Sequence, residues 1–354
     1  MRTVLWTLAT VACLGALAGA AIVFGGLYNV SARLGHLPPT AWVLHTTYRN
    51  SVDLWSPSAR EVPPLTGDLL RLGARHFDGA CRQCHSAPGE ERTATIRAME
   101  PVPPHIQEAV SGWAPNHLHW IVREGVKMSG MPAWPADRDD EPWALVAFLD
   151  QVRDMDAATY QDLTATPEVP ADAPPHLAYC AGCHGIDGRS GNPHIPRLDL
   201  QSEGYLSLAL QTYRDGARES GIMAQAASAV PEEALPALAA WFAAQAPAPG
   251  GQLADQGLAS QGEALARAQA GEPKVPACVA CHGPERDGSH PEGPGPAIAG
   301  QYATYLATQL RLWRDGTRGG GPRAELMAQA AEHLTDDDIA ALAAWYASLP
   351  PEPR

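Results

Sequence analysis

The sequence predicts an all-α chain, with three helical units in tandem behind one N-terminal transmembrane helix. Three observations predict this. A five-residue pattern occurs three times, its first residues 99 and 98 positions apart (180−81 and 278−180). Between its copies, apolar residues recur at helical spacing rather than in alternation. The chain also runs without a charge from Thr3 to Ala32.

The pattern reads Cys81-Arg-Gln-Cys84-His85, Cys180-Ala-Gly-Cys183-His184 and Cys278-Val-Ala-Cys281-His282. On one helical turn the two cysteines (i, i+3) and the histidine (i+4) share a face. Two thiols can then form thioether links to a porphyrin edge while the imidazole reaches the iron, which is the attachment signature of c-type haem. A zinc site would need a second ligand pair nearby, and a redox dithiol would sit in an alternating strand and helix pattern. Neither accompanies these motifs, and neither explains a histidine after every second cysteine. Six of the seven cysteines are used this way. The sequence therefore implies three covalently attached haem c groups. Cys81, Cys84, Cys180, Cys183, Cys278 and Cys281 would bind the cofactor, and His85, His184 and His282 would ligate iron.

Units this short are small for a self-sufficient core, so a buried cofactor is a sensible supplement. With 33 Gly and 33 Pro, the helices should be short and joined by loops wrapped around something. A net charge of −14 argues against nucleic acid as a partner and allows docking to a basic protein surface.

Taken in order, residues 1–30 form the transmembrane anchor or signal-anchor. The apolar run Val4 to Leu27 is 24 residues, about 36 Å as a helix, enough to cross a hydrocarbon core of about 30 Å. Ala18-Gly-Ala-Ala offers a cleavage site, but the apolar run continues past it, and Trp6 and Tyr28 lie near its ends as interface anchors do. Cys13 is expected as a small thiol within that helix. Residues 31–65 read as a polar connector with His36 and His45 on the surface. The first unit, 66–153, has helices over 67–85, 113–124 and 140–153, with a breaker-rich loop at 125–134. A linker follows at 154–175. The second unit, 176–245, has helices at 205–215 and 231–244. After a hinge at 245–251, the third unit, 246–354, repeats the order with helices at 302–315 and 335–349. Thr335 and Asp338 form a capping box. Tyr205…Arg214-Asp-Gly216 and Tyr305…Arg314-Asp-Gly316 are an internal repeat.

Each iron also needs an account of its other face. Met223 is the only methionine between the second and third motifs, and Met327 the only one after the third. They follow their motif's first cysteine by 43 and 49 residues (223−180 and 327−278), in loops between the middle and last helices; 50 residues (131−81) reaches Met131 in the first unit. Met128 is its local rival, and Pro132 stiffens the loop in favour of Met131. His105, His117, His119 and His333 fit surface positions; His194 and His290 lie too close to their own motifs to cross the ring. A backbone carbonyl should orient each proximal imidazole: that of Pro196, of Pro296, and of one of the prolines among residues 101–104.

With these residues in hand, all three units resemble class I cytochromes c. The second and third together resemble the tandem dihaem cytochrome c4 group, in the Cys-x-x-Cys-His-Gly start, Ile195-Pro-Arg-Leu198 or Ala297-Ile-Ala-Gly-Gln301, and the Tyr-Leu helix ending in Arg-Asp-Gly. Asp199-Leu-Gln-Ser-Glu departs from the usual Ala-Gly-Gln, which puts local packing in question. The first unit, with His76-Phe-Asp, Gly130-Met-Pro-Ala-Trp134 and Leu27-Tyr-Asn-Val30, resembles membrane-anchored monohaem domains. The resemblance implies electron transfer without catalysis. The expected protein is a membrane-tethered trihaem cytochrome c on the bacterial cytoplasmic membrane, its haem domains facing the periplasm. It would link a quinol-oxidising complex or dehydrogenase to a terminal oxidase or reductase. The alternatives are a dedicated cytochrome subunit of a membrane-bound dehydrogenase and, from another class, a peroxidase-like haem enzyme with one open iron.

Overall fold

The computed structural model describes residues 1–249, 255–267, 277–282, 296–321 and 323–351. Among them the regular structure is helical, with no strand. The end of the expected hinge, His290 and the residue after the third motif lie outside the described residues.

Arg2–Gly25 is one helix, ended by Gly26 in the left-handed conformation (φ 65°, ψ 27°) that only glycine adopts readily. It is long and apolar enough to cross a membrane, and none of its residues is buried. The connector differs from expectation, because Pro38–Trp55 forms an 18-residue helix with proline in its first turn. Its polar residues hid it: Val52 is its one buried residue, while Trp42, Leu54 and Trp55 face outward. Tyr48 meets Trp113 edge-on, with centroids 5.6 Å apart.

Three hydrophobic clusters follow, one around each motif. In the first, Gly67–Ala80 crosses Pro142–Gln151, with Pro115–Glu124 alongside. The crossing depends on Gly73, where a Cβ would lie 1.9 Å from the Ala144 carbonyl oxygen. Phe77 and Phe148 meet there at 5.0 Å. Residues 157–164, expected within a linker, instead form the helix Ala157–Thr164. It buries Tyr160 against this cluster, and the phenol donates to Asp78 Oδ1 at 2.8 Å. A lone aromatic in a polar stretch gave no helical period to read.

The second cluster joins Leu177–His184, Glu203–Arg214 and Leu235–Ala243 through Leu177, Leu206, Leu238 and Phe242. The third joins Gln256–Arg267, Ala303–Arg314 and Asp336–Ser348 through Ala266, Leu306, Leu342 and Trp345. It repeats the first cluster's close crossing, with Gly262 against the Ala341 carbonyl at 2.0 Å from a notional Cβ. The Thr335–Asp338 capping box is present as read. Two further helices, Gly221–Ala229 and Ala324–Ala331, stand where loops were expected.

Candidate cofactor sites

Each motif forms a helical turn. Cys84 and His85 donate backbone N–H to the Cys81 carbonyl at 3.1 and 3.0 Å, and Cys281 and His282 do the same to Cys278 at 3.2 and 2.9 Å. The second motif is the end of Leu177–His184. The first cysteine of each motif packs against its own hydrophobic cluster. Burial, with the second cysteine's charge adding to it, pushes the Cys81 and Cys180 thiols up to about 12 and about 11. Both sulfurs lie against apolar surface, where a haem edge would pack.

The three imidazoles are oriented alike. Nδ1 lies 2.8 Å from the Pro104 carbonyl in His85, 3.4 Å from Pro196 in His184 and 3.1 Å from Pro296 in His282. A carbonyl only accepts, so Nδ1 carries the proton and Nε2 keeps the lone pair that a metal needs. Burial holds His184 down at about 4, which keeps the ring neutral.

The second and third motifs open into one cavity of about 540 Å³. Cys180, Cys183, His184 and Met223 line it, as do Cys278, Cys281, His282 and Met327, with leucines and alanines filling the intervals. Met223 and Met327 sit in Gly221–Ala229 and Ala324–Ala331, on helices rather than in loops. Among the described residues, the lining holds five arginines (75, 197, 218, 318, 323) and one carboxylate, Asp78. Arg218 donates to the Tyr205 and Tyr305 hydroxyls at 3.2 and 3.1 Å, and stacks over Tyr213 at 4.5 Å. Arg318 bonds Gln309 and lies 4.9 Å from the Trp313 ring centre, with its Nε unpartnered. Burial, reinforced by the charge of Arg218, holds the Arg318 guanidinium below its ordinary value. Buried cations need an anion nearby. A haem, with an apolar ring and two propionate carboxylates, fits this lining in both respects.

Sequence reading missed this arginine pair, although the repeat carries it: Arg214-Asp-Gly-Ala-Arg218 and Arg314-Asp-Gly-Thr-Arg318. The first arginine of each closes onto backbone carbonyls, Ala227 and Val230 for Arg214 and Leu334 for Arg314.

In the first unit, Met131 is half-buried in a loop pinned by its own carbonyl, which accepts from Val126 N at 3.1 Å, and by Ser129 Oγ, which accepts from Met131 N at 3.1 Å. Met128 is 92% exposed and turned away. Met99, absent from the sequence reading, reaches the loop: its Cε would lie 2.7 Å from a Cβ on Gly130. Of the histidines expected on the surface, His119 is not there, while His105 is half-buried. His119 is buried, stacks on Trp143 at 4.1 Å and bonds the Asp139 carbonyl at 2.9 Å. His105 accepts from Gln107 N at 3.3 Å, and its Nε2 lies 3.2 Å from the Ala87 carbonyl.

The second and third clusters meet through a reciprocal exchange. Gln201 donates to the Ala297 carbonyl at 2.7 Å and accepts from Ala297 N at 3.1 Å. Gln301 donates to the Arg197 carbonyl at 3.0 Å and accepts from Arg197 N at 2.9 Å. Residues 197 and 297 directly follow the prolines that orient His184 and His282. Gln201 thus stands where Gln301 stands, so the departure read at Asp199-Leu-Gln is confined to the first two residues. Asp199 replaces Ala299 and pairs with Arg197 at 2.5 Å, both side chains buried.

Residues 68–149 match the family described as cytochrome c oxidase, cbb3-type, subunit III, and residues 259–350 match the cytochrome c family. A thiosulfate dehydrogenase electron acceptor of Thiomonas intermedia is 37% identical over 195 residues, 53% of this chain and 87% of that protein. Cytochrome c4 of Pseudomonas aeruginosa is 37% identical over 172 residues, 49% of this chain and 84% of that protein. The crystal structure of reduced cytochrome c4 from Pseudomonas stutzeri covers 49% of this chain and 94% of its own, at 32% identity and a TM-score of 0.43. Helical units built around Cys-x-x-Cys-His turns, with the Thiomonas intermedia and Pseudomonas aeruginosa relatives, define an electron-transfer protein that holds haem c covalently, not an enzyme. The chain belongs to the cytochrome c family and carries a c4-like dihaem part.

Proposed function

We propose that this cytochrome is a membrane-tethered trihaem electron carrier, working in the periplasm between a respiratory or dehydrogenase donor and a terminal oxidase or reductase. The units would be 66–153, 176–245 and 246–354, behind the anchor at 1–30. The paired cysteines of each motif would hold the haem edge, with His85 and Met131, His184 and Met223, and His282 and Met327 as axial ligands. One observation carries the reading: at all three motifs the first cysteine rests on its own apolar cluster and the imidazole Nδ1 is bonded to a proline carbonyl.

Haem c supplies reversible one-electron chemistry at iron. The chain's residues do the rest. Proline carbonyls fix each imidazole and keep Nε2 basic. Met131, Met223 and Met327, as thioether ligands to iron, would favour a high potential. The apolar lining limits water, and Arg218 and Arg318 offer charge to the propionates. The net charge of −14 suits encounter with a basic partner surface.

Intact-mass measurement of the purified chain tests the count, since fewer than three haem adducts would refute it. Membrane fractionation with and without residues 1–30 tests the tether. A second reading, the dedicated cytochrome subunit of a dehydrogenase, is favoured by the relative named for accepting electrons from thiosulfate dehydrogenase. The match to a cbb3-type oxidase subunit family supports an oxidase on the acceptor side. Co-purification from native membranes separates the two: a catalytic dehydrogenase subunit retained in fixed ratio supports the second reading.

A further inference from the structure

The first unit reaches into the second at one buried carboxylate. Glu141, 8% exposed, stands at the start of Pro142–Gln151 and points across the junction. It accepts from Ser220 Oγ at 2.5 Å and from Gly221 N at 2.6 Å, while Arg138 of its own unit pairs with it at 2.9 Å. Ser220 caps the helix Gly221–Ala229, and its Oγ accepts from Met223 N at 3.2 Å. A hydroxyl has a single proton. Because Glu141 takes it, the oxygen lone pair is left aimed at the Met223 amide. Trp134 seals the same spot: its Nε1 donates to Glu141 Oε2 at 3.3 Å, and a Cβ on Gly221 would lie 2.2 Å from that nitrogen. Trp134 is three residues beyond Met131, so this junction touches both sulfur-bearing segments.

We propose that Glu141 is a positioning residue for the second site: through Ser220 it fixes the helix start that carries Met223, so sulfur ligation of the second iron depends on the docked first unit. This rests on the reading of Met223 as an iron ligand. A c4-like pair without the first unit would have no Glu141 to perform this role. The first unit is then a structural part of its neighbour's metal site as well as a carrier in its own right.

Imidazole titration of the oxidised, full-length holoprotein tests this, read from the methionine–iron charge-transfer band and the Soret shift. Met223→Ala should open one site to imidazole. Glu141→Ala and Ser220→Ala should each raise imidazole affinity at that same site, on the order of tenfold for a lost charge-assisted bond. Ser220→Thr, which keeps the hydroxyl, should restore the parent behaviour. Glu141→Ala should add nothing in the Met223→Ala background. Ser220→Ala removes one oxygen and keeps the test valid if Glu141→Ala fails to fold. If Met223→Ala opens a site while Ser220→Ala and Glu141→Ala leave affinity and band unchanged, the positioning role is overturned and the ligand reading stands. If Met223→Ala opens no site, the ligand reading falls and takes the proposal with it.

Discussion

Replacing Asp199 by alanine strands a guanidinium in the interior. Arg197 and Asp199 have side chains 5% and 0% exposed, and two bonds join them, at 3.0 and 2.5 Å. Arg197 also donates to the Gly300 and Ala248 carbonyls at 3.1 and 2.9 Å, so it cannot swing out to water without breaking the junction. Removing one partner of a buried pair typically costs about 3–5 kcal/mol, since the remaining charge is left uncompensated. The second and third units together span a length for which 1 kcal/mol moves the melting midpoint by roughly 2–4 °C. Asp199→Ala should therefore lower the midpoint of this half by roughly 6–20 °C. Differential scanning calorimetry of the holoprotein reads it directly. Arg197→Met with Asp199→Ala should lose clearly less, because no orphaned charge remains. Equal losses in the single and double variants would refute the reasoning, showing the pair to be packing only.

Met327→Ala should leave its haem attached through Cys278 and Cys281, lower that site's potential and admit exogenous ligands. Redox titration with visible spectra checks this, and unchanged spectra and potential would remove Met327 from the ligand set. Gly73→Ala should destabilise the first unit by about 1–3 kcal/mol despite alanine's better helix propensity, because the new Cβ meets backbone oxygen at 1.9 Å; chemical denaturation of the full chain measures it. Burial holds His119 below its ordinary 6.5, outweighing its bond to the Asp139 carbonyl. The unfolded chain therefore takes up that proton first. The first unit should lose stability as pH falls from about 6.5 towards the lowered folded value. The loss should level off below it and shrink in His119→Gln, as melting midpoints across that range would record.

The motif turns, the helix carrying Gly73 and the Thr335 cap were legible because each is a local pattern: fixed spacing, an amphipathic period or a capping pair. Pro38–Trp55 was not, since a helix that buries only Val52 carries almost no period. Gly221–Ala229 and Ala324–Ala331 escaped for the opposite reason. They are short and rich in alanine on every side, so the few larger residues facing the cavity, such as Met223 and Met327, stand out too little to mark a helical period. The Nδ1 partners of His184 and His282 could be named in advance because a proline carbonyl in a short loop has few places to point. Glu141 gave no such signal. Its partners lie 79 and 80 residues away (220−141 and 221−141), and nothing in its own stretch separates a buried acid from an ordinary first-turn carboxylate.

The crossed glutamines have a practical consequence for anyone dissecting the molecule. The peptide groups of residues 197 and 297, immediately after the carbonyls that steer the two imidazoles, are each gripped from the opposite unit. Severing the chain near residue 250 and expressing either piece alone would leave its gripped peptide unheld and let the steering carbonyl drift. Each isolated piece should therefore show its site's midpoint potential shifted from the value the same site has in the whole chain.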